Sequence, residues 1–113
     1  MSVPLYRAKA DLFRMLGHPV RIRVLELLQA GPMAVRELLA RTEVESSTLS
    51  QQLAALHRSG IVISAREGST VVYAVAGSEV GELLRAARRI LTELLTGRSE
   101  LLTVPQEDGV VAP

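Results

Sequence analysis

A chain of 113 residues that is 48% apolar has the size of one domain and too much apolar content for a disordered one. With no cysteine it cannot form disulfides, thiolate metal sites, dithiol redox centres or a cysteine nucleophile, and no apolar run approaches the roughly 18–20 residues that span a membrane. A net charge of +1, from 13 basic and 12 acidic groups, does not by itself announce a nucleic-acid partner.

Leu5, Ala8, Leu12, Met15 and Leu16 recur at spacings of three and four and predict a first helix, ended by Gly17. His18-Pro19 opens a second helix, with Pro19 near the first helical position, where its missing N–H costs nothing. Val20, Val24, Leu27 and Leu28 keep the helical period, Leu25 widens the stripe, and Gly31-Pro32 ends it. Val35–Arg41 reads as a short third helix with Leu38 and Leu39 inward, followed by a connection over Thr42-Glu43-Val44. A fourth helix runs from Glu45-Ser46 to Arg58 with Leu49, Leu53 and Leu56 inward, and Gly60 terminates it.

The period then changes. Ile61–Glu67 and Thr70–Ala76 carry β-branched residues and Tyr73 on either side of Gly68-Ser69, the pattern of a β-hairpin. Val80, Leu83, Leu84, Ala87, Leu91, Leu94 and Leu95 form a long last helical stripe, for which Gly97 is a candidate C-cap. The expected class is mainly α with a β-hairpin, in the order α-α-α-α-β-β-α. Residues 1–97 are expected to form one domain and residues 98–113 a disordered tail, with Leu101 and Leu102 able to dock. The N-terminus lacks the basic and apolar succession of a signal peptide, so the expected location is the cytoplasm.

The small net charge hides a gradient. Residues 1–75 carry nine basic and six acidic groups, net +3, and residues 76–113 carry four and six, net −2. Twelve of the thirteen basic groups are arginine, whose planar fork suits phosphates and base edges. Two short helices joined by a brief turn and followed by a hairpin are in winged helix-turn-helix order. In such an order the helix 35–41 crosses the DNA backbone and the helix 46–58 enters the major groove. The first turns of that second helix offer Ser46, Ser47, Thr48, Ser50, Gln51 and Gln52, which can bond phosphates or base edges. Serines at a helix start also serve simply as caps.

The segments LGHPVRIRVLELL (16–28), VRELLART (35–42), STLSQQLAALHRSGIV (47–62) and REGSTVVYAV (66–75) together resemble the ArsR/SmtB family of bacterial winged-helix repressors, over roughly residues 5–95. The resemblance implies a homodimer that binds palindromic operator DNA, with repression relieved or switched by a small effector, often a metal ion. An accessory co-regulator would reverse the direction of control. By position it implies DNA contacts from Ser46, Ser47, Thr48, Ser50 and Gln51, with Gln52 where the family often has His. Glu45 stands at the usual Ser cap, so a side-chain cap is not assured there and Ser46 could shift the helix start by one, and Arg66–Thr70 match the wing. Ser69 occupies a wing position that is commonly basic, so Arg66, Ser69 and Thr70 are expected to hold phosphate less strongly.

The family's two metal sites do not survive by position: Ala34 and Arg36 stand where one has cysteines, and of Gly77, Glu79, Arg89 and Ile90 near the other only Glu79 can ligate. His18 reads first as a local cap and second as a ligand, and His57 as a solvated or phosphate-facing residue. With Glu79 they could still hold a borderline ion such as nickel or zinc. In style the chain also resembles actinobacterial relatives that act in nickel-dependent control of superoxide dismutase.

The stripes on the first and last helices exceed what one small core can cover, so pairing of two chains through Leu5, Leu12, Leu83, Leu84, Leu91 and Leu94 is expected. An enzyme is not expected, because no nucleophile elbow, Walker loop or dinucleotide fingerprint is present. RNA reading is disfavoured by three scattered aromatics. The remaining rival is a winged-helix module that binds protein rather than DNA.

Overall fold

In the computed structural model the backbone is described for residues 2–102 and side-chain environments for residues 2–97. The elements in order are α1 (Leu5–Leu16), α2 (Pro19–Leu27), a 3-10 turn (Leu28–Ala30), β1 (Met33–Ala34), α3 (Val35–Thr42), α4 (Ser46–Ser59), β2 (Val62–Glu67), β3 (Thr70–Val75) and α5 (Glu79–Leu102). The chain divides into two compact units, Met1–Val80 and Gly81–Pro113.

The core of the first unit is aliphatic. Val24 and Leu25 from α2, Leu38 from α3, Leu49, Leu53, Ala55 and Leu56 from α4, and Val62 from β2 are buried, with Leu16 and Leu28 at the ends of their elements. These are the helical-period positions of the sequence, so burying one stripe per helix draws α2, α3 and α4 together. His18 starts α2 from an extended conformation, its Nδ1 accepting the Val20 N–H at 3.1 Å while Pro19 takes the first position. The sheet is antiparallel in the order β1-β3-β2. Glu67 faces Thr70 across the two-residue link Gly68-Ser69. Gly68 has φ +67°, which fits the first position of a type II′ turn.

α4 ends in a Schellman motif. Gly60 lies at φ +84°, its N–H bonds the His57 carbonyl at 3.1 Å, and the Ile61 N–H bonds the Leu56 carbonyl at 3.2 Å. A Cβ on Gly60 would meet nothing within 4 Å, so the cost of a side chain there is conformational alone. Gly60→Ala is expected to destabilise the fold by about 1 kcal/mol, read as a lower urea midpoint at unchanged slope.

The structure departs from the sequence reading in three places. β1 was not expected: two residues carry no periodicity, and Met33 and Ala34 become a strand only by pairing with Tyr73 and Val72. Thr42 belongs to α3 rather than to the connection, its Oγ1 donating to the Leu38 carbonyl at 2.8 Å. Gly97 is not a cap. It stays out of the left-handed region and α5 continues through residues 98–102, which were expected in the tail. A glycine inside a helix costs only about 1 kcal/mol, which the neighbouring turns can absorb. The rest of the expected tail, 103–113, lies outside the described residues. Among the described residues no helix is long and apolar enough to cross a membrane.

Candidate nucleic-acid interface

Three residues, Glu43-Val44-Glu45, separate α3 from α4. Glu43 takes the left-handed conformation at φ +57°, with its N–H on the Leu39 carbonyl, and this reverses the chain at the end of α3. A turn this short between two helices whose leucines share one core is a helix-turn-helix. Glu45 provides no side-chain cap to α4, as its type foretold, so no side chain occupies the N–H groups of the helix's first turn.

Burial of Leu49, Leu53 and Leu56 decides which side of α4 looks outward. Ser46, Ser47, Ser50 and Gln51 are exposed, and Thr48 is half-buried. They divide between two flanks. Ser46 and Ser50 line a cavity of about 100 Å³ with Val35, Leu39 and Tyr73, whereas Ser47 and Gln51, one turn apart, continue into the exposed Ala54 and Arg58. Gln52 does not join the exposed set: it is half-buried and its Oε1 accepts a 2.6 Å hydrogen bond from Arg21 Nε. In the wing, Arg66 and Ser69 are exposed and Thr70 is half-buried.

Three exposed ion pairs lie within the described residues: Arg14–Asp11, Arg23–Glu26 and Arg41–Glu37. Such pairs add little stability, but they occupy their cations. Arg36 on α3, Arg58 on α4 and Arg66 on the wing are exposed and in no ion pair among the described residues. The sequence reading passed over Arg36 and Arg58 as free cations. The signal was present: neither has a carboxylate three or four positions away, whereas Arg41 has Glu37.

The donors suggested for a metal do not assemble. His18 Nδ1 is engaged at the start of α2, His57 is exposed late on α4, and Glu79 is exposed at the start of α5. Among the described residues no three of His, Asp and Glu come together. The described residues of one chain therefore do not form a nickel or zinc site.

Leu5, Leu12, Leu91 and Leu94 are exposed, and Leu83 and Leu84 are half-buried. Tyr6 and Phe13 on α1 and Ile90 on α5 are exposed as well.

A helix pair packed on a shared core with a three-residue turn, followed by an antiparallel hairpin, is a winged helix-turn-helix of the kind that reads DNA. The model of the bacterial regulatory proteins of the arsR family matches residues 18–64. An uncharacterized HTH-type transcriptional regulator of Mycobacterium tuberculosis, Rv0081, is 45% identical over 102 residues, 89% of this chain and 90% of that protein. Its crystal structure superposes with a TM-score of 0.78 over 86% of this chain and 98% of that one, at 46% identity. The transcriptional repressor BigR of Xylella fastidiosa superposes at 0.71, with 33% identity over 75% of this chain and 87% of that one. The homodimeric winged helix-turn-helix DNA-binding domain Mb0332 of Mycobacterium bovis does so at 0.69, with 28% identity over 83% and 91%. The chain belongs to the arsR family of bacterial regulatory proteins, and it is a helix-turn-helix transcriptional regulator.

Proposed function

We propose that two copies of this chain bind a palindromic operator and repress transcription, with α4 in the major groove and the β2–β3 wing on the flanking backbone. The observation that carries this reading is the exposed, uncapped N-terminal half of α4, bearing Ser47 and Gln51 outward, seated by four buried side chains. Hydroxyls and backbone N–H groups at a helix start bond phosphate oxygens, and an outward Gln can bond adenine through both its amide atoms. Arg36, Arg58 and Arg66, in no ion pair among the described residues, add exposed positive charge on α3, α4 and the wing. Pairing presents two such helices about 34–36 Å apart, one turn of DNA. It also doubles the +3 of residues 1–75. Relatives named as repressors support this direction of control, whereas HlyU of Vibrio cholerae, 33% identical over 79 residues, is named an activator.

The test is binding to DNA from upstream of the gene across a salt series. Affinity is expected to fall steeply with salt as phosphate contacts release counterions. Salt-independent binding, or none, would instead favour a protein-binding winged helix. Arg66→Ala is expected to weaken all DNA alike and to reduce the salt slope by about 1, whereas Gln51→Ala is expected to relax base preference at one position by about 1–3 kcal/mol. A Gln51→Ala protein with unchanged affinity and preference would move base reading to another residue of α4.

A further inference from the structure

Among the described residues a single side-chain hydrogen bond joins positions more than six apart, and it ends on the helix proposed to read DNA. Arg21 Nε donates to Gln52 Oε1 at 2.6 Å, across 31 positions. The same guanidinium donates from Nη1 to the Met15 carbonyl at 2.9 Å, with Met15 Sδ 3.1 Å from that nitrogen. Arg21 thus holds the last turn of α1 and the middle of α4 from its own place on α2. It has no carboxylate partner among the described residues, so its hydrogen bonds go to neutral groups.

The location makes this contact consequential. α1 buries only Leu16, so its hold on the first unit is confined to the end where Met15 lies. Gln52 sits between Gln51, which faces out, and Leu53, which faces in. A guanidinium is planar, and its Nε and Nη1 donors keep a fixed angle. One planar group therefore carries both hydrogen bonds, so a shift of the α1 end and a shift of Gln52 act on the same side chain. Arg21 and Gln52 were not linked by anything in the sequence, where Gln52 reads as one more polar residue of the recognition helix.

We propose that Arg21 is a positioning residue that couples the end of α1 to α4, so that pairing of two chains through α1 sets how α4 meets DNA. The proposal rests on the DNA reading of α4, and its test separates the two. Arg21→Leu, Arg21→Lys, Gln52→Leu and the double variant Arg21→Leu/Gln52→Leu are compared with the unmodified chain for binding to upstream DNA across a salt series. Amide hydrogen exchange is measured on the same proteins without DNA. Each single variant is expected to bind about three- to thirtyfold more weakly, with an unchanged salt slope and with the double variant no weaker than the singles. Arg21→Lys is expected to behave more like Arg21→Leu than like the unmodified chain, since an ammonium lacks the two donors that the guanidinium holds at a fixed angle. Exchange is expected to rise together at the end of α1 and around Gln52.

A direct phosphate contact by Arg21 would appear as rescue by lysine and a lower salt slope in Arg21→Leu, and would overturn the coupling. Weakening by Gln52→Leu with none by Arg21→Leu would overturn it too, since Gln52 would then be touching DNA itself. If Arg21→Leu does not fold, Gln52→Leu, which removes only the far end of the contact, decides through the exchange at α1. No DNA binding by the unmodified chain would sink the DNA reading of α4, and the exchange result would still decide whether the two helices are coupled.

Discussion

Leu91→Glu is expected to turn the paired chain into a monomer and to lower operator affinity by about 10²–10⁴-fold. Leu91 and Leu94 on α5 are 50% and 51% exposed in the single chain, and Ile90 beside them is 59% exposed. On α1, Leu5, Tyr6, Leu12 and Phe13 are exposed as well. On each helix taken by itself, exposed apolar side chains grouped along one face mark an interaction surface. Leu84, Ala87, Leu91 and Leu94 follow one another at spacings of three, four and three, the repeat by which helices of separate chains pack side by side. A glutamate in the middle of that seam must either lose its water or keep the two chains apart. An unpaired buried carboxylate costs several kcal/mol, so the chains separate. Operator binding then loses the second recognition helix, and the affinity that came from holding two readers on one molecule goes with it. Light scattering at micromolar protein reads the first effect and a DNA titration the second. A Leu91→Glu protein of unchanged mass and affinity would move the pairing surface away from α5.

Leu56→Ala is expected to destabilise the fold by about 2–5 kcal/mol. Leu56 is 0% exposed on α4, which packs against α2 and β2. Truncation removes three carbons from a site walled by elements that are themselves held by Leu25, Leu38 and Val62, so the cavity cannot collapse freely. For a domain of this size the loss corresponds to a melting temperature lower by about 10–30 °C. The comparison must be made at one protein concentration, because any association of folded chains adds to apparent stability. Leu56→Met, which nearly conserves volume, is expected to cost less than about 1.5 kcal/mol. A loss under about 1 kcal/mol for Leu56→Ala would mean that α4 is not anchored by this residue.

The two substitutions act on different kinds of leucine, and composition does not tell them apart. Leu56 and Leu91 both sit on helical stripes of the sequence. What separates them is whether the rest of the chain covers the stripe. Leu5, Leu12, Leu91 and Leu94, expected to pair two chains, are exposed in the single chain, whereas Leu83 and Leu84 have part of their surface covered within one chain.

Most of the fold was legible because its signals are local. A stripe of leucines with a glycine or proline at each end marks a helix through a physical cost paid within a few residues, so α1, α2, α4 and the hairpin have nearly the expected bounds. His18 was legible as a cap for the same reason, since Val20 is two residues away. Gly97 was not: a glycine ends a helix only when its backbone turns left-handed, and nothing nearby forces that turn. Of the candidate site, the polar face of α4 and the wing were legible, and so was the missing cap at Glu45.

By itself the sequence determined the order of the five helices and the hairpin, the aliphatic core and the helix-turn-helix pair. Each follows from residue type and spacing along the chain. Only the tertiary structure decided that Met33 and Ala34 form a strand on β3, that Ser46 and Ser50 share a flank with Tyr73, and that Gln52 is held by Arg21 instead of facing out. These contacts bring together residues up to some forty positions apart. Such residues meet only after the core has formed, and no period or motif along the chain records which of them will touch.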